Sequence, residues 1–142
     1  KITLNDGKAV ESLLEEMRTN ISSMKEHENL EFLGEILERH VAEIEEATQY
    51  LLIELSKGNL AGASASGTPY LKMFGQVLGG HYMGKAAVTA TKNLHEVNAE
   101  FYNDKITLSK FYIEQLLPLA SSYFSSVMLG KENLYSIDSN SY

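Results

Sequence analysis

Apolar residues recur at steps of three and four through four long stretches of this chain, a spacing that builds helices and not strands. Val10, Leu13, Leu14, Met17, Ile21 and Met24 make the first stripe, which predicts a helix over 6–27 with Asn5 or Asp6 as its cap. Leu30, Leu33, Leu37, Val41, Ile44, Ala47, Leu51 and Leu55 make the second, over 30–56, with Asn29 placed to cap it. A third helix is expected over 69–97, entered through Pro69 and marked by Tyr70, Phe74, Val77, Leu78, Tyr82, Ala86, Ala90 and Leu94. The fourth, over 99–129, carries Phe101, Leu108, Phe111, Tyr112, Leu116, Leu119, Tyr123 and Val127. Pro118 lies inside it and predicts a kink near Glu114–Pro118. Gly130 is expected to end it.

Between the second and third helices, residues 57–68 (KGNLAGASASGT) read as a loop of small and polar residues. Residues 130–142 read as a polar C-terminal tail without periodicity. Each amphipathic helix must bury its stripe against another, and short links favour antiparallel neighbours. The fold class expected is therefore all-α: an antiparallel up-down-up-down four-helix bundle in one domain, 1–142, closed by a polar tail.

Composition narrows what such a bundle can do. The 142 residues include no cysteine, which removes disulfides and thiolate metal sites and fits a cytoplasmic setting. Apolar runs fall far short of the roughly 20 residues a transmembrane segment needs. The net charge is −7, and residues 1–57 carry all of it, with 13 Asp and Glu against 6 Lys and Arg. An acidic chain without a basic stripe is a poor partner for nucleic acid. The many glutamates of the second helix are expected to form a solvated face, with no cationic target in the chain. Aromatics have the opposite bias, with 11 of 13 after residue 57. The chain opens at Lys1 without a methionine, and we read it as a piece of something longer.

No complete catalytic or cofactor motif is present. A di-iron bundle needs an acidic residue three places before each ligand histidine, but His27, His40, His81 and His95 follow Met24, Leu37, Leu78 and Lys92. No phosphate loop, dinucleotide fingerprint or nucleophile elbow occurs. The expectation is thus no catalytic, cofactor-binding or metal residue in this chain. His40 and Glu43 can meet on one helix face, as a surface pair sooner than a ligand pair.

His81 stands apart, in the glycine-rich run GGHYMGKAA. It could be a buried histidine held by a neighbour. Its alternative use is phosphotransfer, since histidine phosphotransfer modules are also four-helix bundles with a motif resembling H-x-x-K-G. Here Gly84 precedes Lys85, which moves the lysine about 100° round the helix from its place in that motif. Gly75, Gly79, Gly80 and Gly84 each cost up to about 1 kcal/mol against alanine in a helix interior, so a close neighbour or bound group is expected beside them.

Two segments in order carry a more specific resemblance. PYLKMFGQVLGGHYMGKAA resembles the Y-L-x-x-[FL]-G-x-x-x-x-[GA] segment in the C-terminal domain of the larger bacterial acyl-CoA dehydrogenases. It matches at Tyr70, Leu71, Phe74, Gly75, Gly80, Met83, Ala86 and Ala87. FYNDKITLSKFYIEQLLP is similar to a second segment of that domain, through Phe101, Tyr102, Lys105, Ser109, Lys110, Phe111, Tyr112, Glu114, Leu116, Leu117 and Pro118. His81 and Lys110 depart from it, standing where the family often has an aromatic residue and an arginine.

The resemblance implies an accessory domain of an oxidoreductase of fatty acid metabolism, which turns an acyl-CoA into its 2,3-enoyl form with FAD as hydride acceptor. The glutamate base and the flavin site would belong to the upstream dehydrogenase core, so this chain by itself is expected to be inactive. The role left is structural, toward that core or within a homo-oligomer. Tyr82, Tyr102 and Tyr112, flat apolar bodies with polar tips, are the candidate interface residues. The competing readings are the phosphotransfer module using His81 and a free helical adaptor.

Overall fold

Adjacent helices are joined by short turns, and their cross-contacts give their directions. The computed structural model describes the backbone over residues 4–134 and side chains over 7–129. Its elements are α1 (Leu4–Lys25), α2 (Glu31–Ser56), α3 (Leu60–Lys92) and α4 (Ala99–Phe111). A π-helical turn (Tyr112–Leu116), a 3₁₀ turn (Leu117–Leu119) and α5 (Ala120–Leu134) follow. The last four elements form one interrupted rod, so the architecture is an all-α four-helix bundle. Arg18 reaches Glu45 while Lys25 reaches Glu38, which sets α1 and α2 antiparallel. Gly79 lies against Tyr112 and Gln76 against Leu116, which sets α3 antiparallel to the rod.

One apolar core runs down the bundle, and the stripes supply it. Met17, Ile21 and Met24 of α1 meet Leu37, Val41 and Ile44 of α2, Met73 and Val77 of α3, and Ile113, Leu117 and Val127 of the rod. All the α2 positions of the expected stripe are buried except Leu55, which is half-buried. On α3 the buried line differs from the expected one. Tyr70, Met73, Val77, Gly80, His81, Gly84 and Ala87 face inward, whereas Tyr82 faces out. Helix α3 is so apolar all round that hydropathy could not select its inner face.

The segment 57–68 is not a loop. Helix α3 begins at Leu60, nine residues before Pro69, which lies inside the helix. Ala61, Ala63 and Ala65 are strong helix formers. Asn59 caps them by accepting the amide of Gly62 at 3.0 Å. The small side chains also let α5 approach, and buried Ser66 donates its hydroxyl to the carbonyl of Val127 at 2.7 Å. Pro69 forgoes one ladder bond, and packing on α5 over these turns outweighs it. Only Gly58, at φ +75°, takes the left-handed conformation among the described residues, and there it separates α2 from α3.

Other boundaries shift for local reasons. Backbone helix is already present at Leu4, and the capping roles given to Asn5 and Asp6 fall on side chains outside those described. Asn29 does not cap α2. Leu30 takes the N-cap place, drawn in by complete burial, and the Asn29 amide instead donates to Thr91 Oγ1 at 3.1 Å. Helix α3 ends at Lys92 and not 97, because Asn93 turns its amide back to the carbonyl of Thr89 at 2.7 Å. Gly130 does not stop α5, whose helical backbone runs through it to Leu134. The expected tail beyond residue 134 lies outside the described residues.

The kink expected at Pro118 takes a definite form. The proline cannot donate to the ladder, and the amide of Leu117 bonds the carbonyl of Tyr112, a π-type step. The 3₁₀ turn that follows pairs the amide of Ala120 with Leu117. The carbonyl of Leu116 accepts from Gln76 Nε2 at 2.9 Å, so α3 supplies a donor where the ladder is irregular.

Candidate functional site

The acidic helices do have cationic partners. Lys25 meets Glu38 at 2.5 Å, Arg18 meets Glu45 at 2.6 Å and Lys85 meets Glu16 at 3.5 Å. Glu35, Glu38 and Glu46 are exposed, as a solvated face requires, but the expectation of no cationic target fails because α1 presents Arg18 and Lys25 across the antiparallel seam, a placement that one helix's sequence cannot reveal. These pairs are largely exposed and worth at most about 1 kcal/mol each.

His40, Glu43 and Ser121 meet where α2 faces α5. Glu43 Oε1 accepts the hydroxyl of Ser121 at 2.9 Å and stands 2.8 Å from His40 Nδ1. The imidazole lies off the line a ring N–H would take, so this is a close charge contact more than an aligned hydrogen bond. His40 is buried, which disagrees with the expected surface pair. Burial holds its imidazole below the usual histidine range, and Glu43 partly offsets this. The order of groups is wrong for a nucleophile, since the serine donates to the carboxylate and leaves the imidazole without its proton.

His81 is 1% exposed, whereas phosphotransfer needs a ring that a phosphodonor can reach. Asn20 of α1 holds it: the side-chain amide nitrogen lies 3.0 Å from the carbonyl oxygen of His81 and 3.2 Å from its Nδ1. A carbonyl can only accept, so Asn20 must present its NH₂ here, and Nδ1 is then also an acceptor. The ring proton therefore sits on Nε2, which is buried without a partner. Burial pushes the imidazole below the usual range; Glu16 opposes this and Lys85 adds to it.

The glycines of α3 accommodate side chains of this same chain. A Cβ at Gly79 would lie 2.3 Å from the hydroxyl of Tyr112, one at Gly84 2.6 Å from Met24 Sδ, and one at Gly80 3.1 Å from Leu117. Gly67 and Gly75 differ, with nothing within 4 Å.

The three candidate tyrosines have different surroundings. Tyr82 is 58% exposed on the outer side of α3. Tyr102 is half-buried and, with Phe101, Lys85, Ala86, Thr89, Ala90 and Lys105, lines a cleft of about 290 Å³ between α3 and α4. Tyr112 is engaged within the chain, donating its hydroxyl to the carbonyl of Gln76 at 2.7 Å while its ring covers Gly79. The residues sequence reasoning missed are Leu71, Leu108, Phe111 and Leu119, all at least half exposed. Their helical spacing was legible. Hydropathy placed most of them in the core stripe, because it cannot tell a buried apolar side from an exposed one.

Leu71, Leu78 and Tyr82 share one side of α3, and Leu108 and Phe111 one side of α4. The contacts of Gly79 with Tyr112 and Gln76 with Leu116 fix the register, so these two lines run beside each other; Leu71, Tyr82, Leu108 and Phe111 are exposed on them, while Leu78 packs against the core. Gly75 lies in the same line. No helix of the described residues is long and apolar enough to cross a membrane, and no cluster of three potential metal ligands occurs among them.

No curated protein and no solved structure matches the chain. The sequence model of the family described as acetyl-CoA dehydrogenase C-terminal like matches residues 13–138, from the middle of α1 onward and through both motif segments. Given an all-helical bundle over that same span, this chain belongs to the acetyl-CoA dehydrogenase C-terminal-like family.

Proposed function

We propose that this chain is the C-terminal accessory module of an FAD-dependent acyl-CoA dehydrogenase of fatty acid metabolism, cytoplasmic and homo-oligomeric, with a structural role and no catalysis of its own. The observation that carries the interface role is the outer face of α3 and α4, where Leu71, Tyr82, Leu108 and Phe111 stand exposed in register. Contiguous apolar surface of this kind is characteristic of a covered face. Its partner on this reading is the dehydrogenase core of the same polypeptide or a second subunit. The residues here do not fit the flavin. The α3–α4 cleft of about 290 Å³ and the shallow α1–α2 groove of about 410 Å³ are at the lower end for even a drug-sized ligand, and the sequence has no dinucleotide fingerprint. No chemical step is therefore assigned to this chain.

Charge placed on the face tests the reading. Phe111→Glu in the full-length enzyme should disrupt assembly, seen as a smaller species in light scattering, while the helical content of the domain is kept. Glu46→Lys, on the exposed side of α2, should leave assembly intact. Assembly that survives Phe111→Glu and fails with Glu46→Lys would place the contact on the acidic side instead. Tyr112→Glu is a poorer probe, because it would break the joint with Gly79 and Gln76 inside the bundle.

A further inference from the structure

His81 is joined to α1 through an arrangement that suits one protonation state. Asn20 Nδ2 bonds two acceptors at once, the backbone carbonyl and Nδ1 of His81, and Nε2 already carries the ring proton. A second proton has only Nδ1 to occupy, the atom that accepts from Asn20. Turning the Asn20 amide over would offer Oδ1 to the new N–H but would set that oxygen against the carbonyl of His81. One Asn20 orientation serves both bonds when the ring is neutral, and neither does when it is charged.

Besides the carboxylate of Glu16, the charged ring would meet only the face of the exposed Tyr82 ring, 5.3 Å away between centroids and tilted by 54°. Nε2 is buried without an acceptor, and Met24 Sδ packs into the space left by Gly84 one turn along. Glu16 of α1 and Lys85 of α3 are the charged groups that act on the ring, and they oppose each other while paired at 3.5 Å. From α2 and the 3₁₀ turn, the side chains that meet the adjoining Gly80 are Leu37 and Leu117, both uncharged. The contacts between α1 and α2 do not depend on this ring, since Arg18 and Lys25 hold Glu45 and Glu38 at any pH near neutrality.

We propose that His81 and Asn20 form an acid-sensitive pin, which locks α1 to α3 while the imidazole is neutral and releases that seam when Nδ1 is protonated. The element it frees is α1, so the device adjusts how the first helix is presented without melting the α3–rod joint.

The test follows the ring and the seam together. Ring ¹⁵N shifts of the wild-type chain should report Nδ1 as the unprotonated nitrogen at pH 7.5, and should titrate below the free-histidine value of about 6.5. Hydrogen exchange, corrected for intrinsic rate, should show a loss of protection across α1 relative to α3 between pH 7.5 and 5. His81→Asn, whose Oδ1 is as many bonds from Cα as Nδ1, keeps an acceptor for Asn20 but has no titrating ring, and should abolish the α1-specific loss. Asn20→Asp offers the imidazolium a counter-charge and should move the ring titration upward. A ring protonated on Nδ1 at pH 7.5, or an acid loss of α1 protection that persists in His81→Asn, overturns the proposal.

Discussion

Gly79 and Gly75 stand one turn apart on α3, and their surroundings give alanine opposite consequences. At Gly79 a methyl group would collide with the Tyr112 hydroxyl and ring, whose hydrogen bond to Gln76 leaves little freedom to move. Gly79→Ala should destabilise by about 1–3 kcal/mol, and pairing it with Tyr112→Phe should recover part of that loss. Gly75→Ala meets open space and should stabilise the domain by up to about 1 kcal/mol. Urea melts of these three variants and of Tyr112→Phe alone check both statements. At His40, burial lowers the imidazole below its ordinary 6.5, so the unfolded chain binds the proton more readily. The stability this group contributes is full above pH 6.5 and is lost as the pH falls below it toward the folded-state value. His40→Gln should flatten that part of the stability profile, measured by urea melts between pH 7.5 and 5.

The helices show how local rules yield to packing. A Ser-, Gly- and Ala-rich run reads as a loop by composition, yet its small side chains are what allow α3 and α5 to lie close. Ser66 is the centre of that contact, fully buried and bonded to Val127. Ser66→Ala should cost about 1 kcal/mol, the scale of one buried hydrogen bond. Ser66→Leu should cost more, since no space exists for three added carbons. A thermal melt that ranked the leucine variant at or above wild type would contradict this packing. Pro118 works the other way: its effect on the backbone was legible, and the π turn follows from an amide the ladder lacks. The donor from Gln76, 40 residues earlier in the chain, was not legible, because only the antiparallel fold brings it there.

The molecule as a whole has two unlike sides. Ion pairs lace the α1–α2 side, and exposed leucines and aromatic rings cover the outer side of α3 and α4. A domain separated from its partner should bury this second face against itself at high concentration. Its apparent mass in sedimentation should rise with concentration, and Phe111→Glu should hold it monomeric. A wild-type domain that stays monomeric up to millimolar concentration would mean that the exposed apolar line is too small or too interrupted to bind.

Periodicity by itself determined that this chain is helical, how many rods it makes and which side of α1 and α2 turns inward, because each of those rods has one apolar and one charged side. The paired motifs around Tyr70 and Phe111 also carried the family, which the match over residues 13–138 shows. What only the tertiary structure decided lies on α3. That helix is apolar on every side, so which residues face the core depended on where α1, α2 and the rod could approach, and glycines at 79, 80 and 84 set those approaches. The same dependence explains why Tyr112 turned inward and His81 closed: a side chain's availability depends on what folds over it, and neighbours distant in sequence do that folding.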